Sequence, residues 1–133
     1  MSLLNIRVYY EDTDSGGVVY YANYLKFIER GRSEFLRDMG FEQDQLIENQ
    51  GTIFVVRSLK AEYLLPARFN DMLTVHTQVE KSRRASLIFS QKITDLKQNK
   101  VLFEAQVTVA CLDAQKFKPR AIPSDILEKI NGQ

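Results

Sequence analysis

Tyr24-Leu25-Lys26-Phe27-Ile28-Glu29-Arg30-Gly31-Arg32-Ser33-Glu34-Phe35-Leu36-Arg37-Asp38-Met39-Gly40 is the one long stretch of helical period in a chain of 133 residues. Tyr24, Ile28, Gly31, Phe35 and Met39 recur at spacings of four, three, four and four, and Leu25 and Leu36 widen the stripe. Lys26, Glu29, Arg30, Glu34, Arg37 and Asp38 mostly take the other face, so the spacing predicts an amphipathic helix. Gly40 is placed to end it in a left-handed cap. A glycine in a helix interior costs up to about 1 kcal/mol against alanine. Gly31 on the apolar stripe therefore predicts a point where helix and sheet come close.

On the N-terminal side, Ile6, Val8 and Tyr10 alternate with Arg7 and Tyr9, a short strand of period two. Glu11-Asp12-Thr13-Asp14-Ser15-Gly16-Gly17 then reads as a polar turn leading into the helix. From residue 52 onward the period is that of strands. In Val55–Leu65 the odd positions are apolar but for Arg57, and Pro66–Asp71 reads as a loop. Leu73 to Glu80, Leu87 to Ile93 and Val101 to Cys111 are three further strands, the first two joined through Ser82-Arg83-Arg84. Short connections predict an antiparallel meander, and Ser124 is placed to cap a short helix over Asp125–Asn131. A sheet with one apolar face needs a covering layer, and only one helix is large enough to supply it. The expected class is α+β: a curved antiparallel sheet wrapped around one long central helix, with an outer face or edge left to pair with another subunit.

Composition narrows the chemistry. A chain of this length is expected to form one domain over residues 1–133. Eighteen Lys and Arg against seventeen Asp and Glu give a net charge of +1, which argues against a nucleic-acid-wrapping protein. One His and one Cys exclude a closed Cys/His zinc site and an internal disulfide. No apolar run approaches the ~20 residues that span a bilayer, and the N-terminus has no signal-peptide pattern, so the expected location is the cytoplasm. Chemistry must come from carboxylates, hydroxyls or the backbone.

The strongest candidate is the polar loop before the helix. Amide N–H groups at a helix start have no internal acceptor and carry partial positive charge, so they can polarise a carbonyl. Asp14, a carboxylate held just before that terminus, could act as general base or nucleophile. Turn chemistry alone would select the same letters. His76 shares a polar strand face, Cys111 sits in an apolar register, and Arg83 and Arg84 form a local basic cluster suited to phosphate.

At Arg7–Arg37 the sequence becomes specific. Val8-Tyr9-Tyr10-Glu11-Asp12-Thr13-Asp14-Ser15-Gly16-Gly17-Val18-Val19-Tyr20-Tyr21-Ala22-Asn23-Tyr24, followed by Glu29-Arg30 and Arg32-Ser33-Glu34, resembles the signature of hotdog-fold acyl-CoA thioesterases. The resemblance is to the 4-hydroxybenzoyl-CoA thioesterase family, and more closely to its Tol–Pal-cluster acyl-CoA thioesterase branch. Phe54–Arg57, Tyr63–Arg68 and Lys118–Pro123 resemble further segments of that family. The likeness implies a hydrolase of short-chain or aromatic acyl-CoA, with Asp14 as catalytic carboxylate and the Tyr21 backbone N–H polarising the thioester carbonyl. The Tol–Pal branch usually carries His where this chain has Tyr21, and the backbone N–H is the same in either. Gly17 would let the thioester approach, and Arg57, Arg83 and Arg84 are the candidates for holding substrate. The implied setting is a homodimer or homotetramer in lipid metabolism with no cofactor beyond the CoA of the substrate, no metal, no nucleic acid, and acyl carrier protein as a further partner. Two alternatives remain open: a non-catalytic module that binds acyl-CoA or acyl carrier protein, and a hotdog dehydratase, which would call on His76.

Overall fold

The computed structural model describes residues Met1–Gln133. Strand β1 (Ser2–Arg7) leads through a single 3-10 turn (Tyr10–Asp12) and the polar loop into helix α1 (Asn23–Asp38). Helix α2 (Gln43–Gln50) follows, then strands β2 (Thr52–Tyr63), β3 (Met72–Ser82), β4 (Ser86–Asp95) and β5 (Val101–Asp113), and helix α3 (Ser124–Asn131). All five strands form one antiparallel sheet, and α1 lies on one face of it, mainly over β1 and β3. The α+β arrangement predicted from the period, and the hotdog fold that the resemblance implies, are the ones observed. The central helix, at 16 residues, is of ordinary length.

The apolar stripe of α1 explains that packing. Tyr24, Ile28, Gly31, Phe35 and Leu36 are buried, joined by Phe27, which the spacing did not single out. Phe35 meets Phe89 of β4 edge-on with ring centroids 5.6 Å apart, and Tyr24 stacks on Phe103 of β5 at 5.3 Å. Gly40 has φ 92° and its N–H donates to Arg37 O at 2.9 Å, the expected left-handed stop. Gly31 meets the sheet so closely that a Cβ there would lie 2.7 Å from Thr77 Oγ1.

Three local expectations are corrected, and one helix is added. Tyr10 is in the 3-10 turn, so β1 ends at Arg7; the chain must turn there to reach the helix. Helix α2 buries one side chain, Leu46, and so leaves no periodic stripe in the sequence. Helix α3 begins at Ser124 itself, after Pro123, with no side-chain cap. The meander holds only for β3, β4 and β5: the order is β1-β3-β4-β5-β2, so β2 sits at an edge beside β5 and β1 takes the place beside β3. The connection from Leu64 to Asp71 is long enough to recross the sheet, since a residue spans up to about 3.5 Å.

The odd-numbered register of β2 is also corrected. Val56 pairs with Val109, but Ser58 pairs with Thr108, so a bulge at Arg57 shifts the alternation. Phe54 and Val56 therefore share a face with Leu59, Ala61 and Tyr63, all opposite the inward residues Val107, Ala105 and Phe103 or continuing their row. Arg57 is the extra residue, not a charge on the apolar face.

Candidate active site

The loop between β1 and α1 is a small hairpin. Thr13 bridges Val19, Asp14 N–H donates to Val18 O at 2.9 Å, and Gly17 N–H donates to Asp14 O at 3.0 Å. Gly17 makes the reversal at φ 77°, a region L-residues with a Cβ rarely adopt. Asp14 is exposed at this turn. Its Oδ1 accepts the Gly16 N–H at 2.8 Å, which fixes the carboxylate against its own loop, while its second oxygen has no partner within the chain.

The hairpin is docked to the connection that recrosses the sheet. Val18 bridges Arg68, Val19 N–H donates to Ala67 O at 2.8 Å, and Phe69 N–H donates to Gly17 O at 3.3 Å. On the other side, Tyr20 N–H and the Asn23 side-chain amide both donate to Asp12 O, each at 2.9 Å. These bonds lead the chain from Asp14 straight into the first turn of α1.

At that turn, the amide N–H groups of Tyr21 and Ala22 donate to no carbonyl of the chain. Two tyrosines hold the backbone around them. Tyr63 O–H, from the end of β2, donates to Tyr21 O at 2.9 Å, and its ring lies edge-on to Tyr21, 6.4 Å between centroids. The buried Tyr24 hydroxyl accepts the Ala67 N–H at 3.0 Å. Burial raises the pKa of both phenols; for Tyr63 the neighbouring Tyr21 and Tyr24 raise it further, and for Tyr24 the Ala67 N–H partly offsets the effect. Both hydroxyls therefore remain protonated at neutral pH, and Tyr63 can donate. No sequence signal marked Tyr63, which lies 42 residues from Tyr21 and meets it only through the fold.

An apolar groove lies between α1 and β2. One cavity of about 450 Å³ lies among Leu25, Ile28, Glu29, Arg32, Val56 and Leu59. A second, about 120 Å³, continues past Arg32 toward Leu36 and Phe54. The largest concavity, about 530 Å³, is on the polar side of the sheet among residues such as Lys60, Lys92, Glu104 and His76. Like the two cavities between α1 and β2, it is lined by neither Asp14 nor Tyr21.

The other candidates disperse. Gly17 belongs to the hairpin with Asp14. Arg57 is exposed at the β2 bulge. Arg83 and Arg84 are exposed on the β3–β4 turn, at the opposite end of the 11-residue β3 from the docked hairpin; at about 3.3 Å per residue that is over 30 Å away. His76 is bonded to Thr94 at 3.0 Å on the polar side of the sheet, and Cys111 is buried, its thiol raised by desolvation. No three His, Cys, Asp or Glu side chains gather as a metal-ion site. No helix is long and apolar enough to cross a membrane.

Comparison with known proteins supplies the family. The sequence pattern of the thioesterase-like superfamily matches residues 8–130. The acyl-CoA thioester hydrolase YbgC of Escherichia coli O157:H7 is 48% identical over 122 residues, covering 92% of this chain and 90% of its own. The acyl-CoA thioesterase YbgC of Haemophilus influenzae is 45% identical over 121 residues, covering 91% and 88%. A crystal structure of a probable thioesterase from Bartonella henselae superposes with a TM-score of 0.86 at 38% identity, covering 92% of this chain and 98% of that one.

Proposed function

Because the chain belongs to the thioesterase-like superfamily and is an acyl-CoA thioesterase, we propose that it hydrolyses a short-chain or aromatic acyl-CoA, with Asp14 delivering the attack and the Tyr21 amide polarising the carbonyl. The observation that carries this reading is the Tyr21 N–H: it stands at the start of α1, donates to no carbonyl of the chain, and follows directly from the hairpin that holds Asp14. A thioester oxygen at that amide would gain a hydrogen bond and the positive end of the helix as charge develops on it.

Asp14 can act by two balanced routes. As general base it takes a proton from water; the water oxygen bonds to the acyl carbon, the C–S bond breaks, and the proton passes to the departing thiolate. As nucleophile its oxygen bonds to the acyl carbon and expels the thiolate, and water then cleaves the mixed anhydride. Gly17 supports either route, because its missing side chain leaves the loop open to the thioester.

The edge strand β2 supports a homo-oligomer, a dimer or a tetramer. Its outer edge is unpaired, and Val56, Leu59 and Tyr63 are 46%, 40% and 46% exposed on the face that the core should cover. A second copy would also be needed to bring Arg83 and Arg84 to the CoA phosphates, given their distance from Asp14 in one chain. Acyl carrier protein would present the same thioester and belongs in the same assay.

The test is Asp14→Asn and Asp14→Ala with an acyl-CoA panel and a free-thiol readout. Loss of turnover by about a hundredfold or more in folded protein is expected; near-wild-type turnover overturns the mechanism. Label found in Asp14 after a single turnover in labelled water identifies the nucleophilic route with water attacking the aspartyl carbon of the anhydride.

A further inference from the structure

The carbonyl of Asp12 is a junction in the backbone around the candidate site. It lies two residues before Asp14 and accepts two donors, the Tyr20 N–H and the Asn23 side-chain amide, each at 2.9 Å. Both lone pairs of that oxygen are thereby used. The Asp12 side chain is held as well, its Oδ2 accepting the Tyr9 N–H at 2.8 Å. One oxygen therefore joins the chain just before Asp14 to the residue before Tyr21 and to the first residue of α1.

Asn23 makes the one side-chain hydrogen bond between α1 and the hairpin, and it is buried. An asparagine near a helix start ordinarily serves as a cap, its side-chain oxygen accepting a backbone N–H of the first turn. Helix α1 has no side-chain cap. Asn23 instead turns its amide back to the hairpin as a donor, and the N–H groups of Tyr21 and Ala22 are left without a carbonyl of the chain. Tyr21 follows Asp14 by seven residues. The bonds from Asp14 N–H to Val18 O and from Tyr20 N–H to Asp12 O hold the two arms of the hairpin together. Only the Asn23 amide ties those arms by a side chain to the helix whose start carries the open amides. A carboxylate that attacks an acyl carbon, or takes a proton from attacking water, must keep its place relative to the bound carbonyl oxygen. A shift of about 1 Å costs on the order of a hundredfold in rate.

We propose that Asn23 is a positioning residue for hydrolysis: by holding Asp12 O against the start of α1, its side-chain amide sets the separation between the Asp14 carboxylate and the Tyr21 N–H. This rests on the roles proposed above for those two groups. The test uses the purified full chain with whichever of butanoyl-CoA, hexanoyl-CoA and benzoyl-CoA the wild type turns over fastest. Asn23→Ala removes the amide; Asn23→Asp keeps its size but, as a carboxylate, cannot donate, and serves if the first variant fails to fold. In folded protein kcat should fall by about tenfold or more, with KM changed by no more than about twofold. The same substitution is then made in the Asp14→Asn protein, whose residual rate is read in single turnover with enzyme in excess. There it should cost less than about twofold, since the separation no longer matters once the carboxylate is gone. A smaller loss of kcat in the wild-type background, or an equal loss in both backgrounds, overturns the inference. Asp14→Asn alone tells the two failures apart. If it keeps turnover, the Asp14 reading falls; if it is inactive while Asn23→Ala is active, only the role of Asn23 falls.

Discussion

A Cβ at Gly31 would lie 2.7 Å from the Thr77 hydroxyl oxygen and 2.7 Å from a Val75 methyl, so α1 meets β3 where only a glycine fits. Both neighbours are β-branched residues of a central strand and cannot rotate away freely. The same approach lets Gln91 reach Ile28 O. Gly31→Ala gains up to about 1 kcal/mol of helix propensity and loses about 1–3 kcal/mol to overpacking. A net loss is expected, seen as a melting temperature several degrees lower; an unchanged or higher value would contradict the contact.

The bulge at Arg57 sets which residues of β2 face inward. Arg57→Ala leaves the bulge in place, and as an exposed substitution it should change stability by no more than about 0.5 kcal/mol. Deleting Arg57 forces strict alternation and turns either Phe54 and Val56 or Leu59 and Tyr63 to the wrong face. The deletion should abolish cooperative unfolding or lower it drastically by circular dichroism, while the alanine variant melts like the wild type. Two indistinguishable melts would remove the bulge from this account.

Tyr63 is a positioning residue through its bond to Tyr21 O. Tyr63→Phe keeps the ring packing on Tyr24 and Phe103 but loses a hydrogen bond of about 0.5–1.5 kcal/mol. If that bond aligns the helix start for the carbonyl, kcat should fall by about two- to tenfold with KM and melting temperature nearly constant. A fall in stability with kcat intact would make its role purely structural.

His76 gives a pH dependence. Burial, and then the neighbouring Lys92, hold its pKa below 6.5 in the folded chain. As pH falls through about 6.5 the unfolded chain takes up a proton that the folded chain resists, so stability drops on the acid side and is unaffected above it. His76→Gln removes this dependence. The wild type should lose melting temperature relative to the variant between pH 8 and pH 5.5; a constant difference between them would exclude it.

The candidate site was legible where its parts are neighbours in the chain. Asp14, Gly17 and Tyr21 fall within one short segment, and the fold keeps them in one hairpin and the helix turn that follows. Arg83 and Arg84, judged only by their charge, lie at the other end of the sheet. Tyr63 carried no local signal, because its place depends on an element far away in sequence.

The amino-acid sequence by itself determined the helix, the four long strands and the polar turn, because burial of one face writes its period into the chain. Gly31 and Gly40 likewise announced their roles, since a missing Cβ has few other uses on an apolar stripe or at a helix end. Only the tertiary structure decided the strand order and the bulge in β2. A strand's period says which face is buried but not which strand lies beside it, and β1 occupies the place next to β3. That choice leaves β2 at the edge, opens a groove between it and α1, and brings Tyr63 to Tyr21 and Gln91 to Arg32.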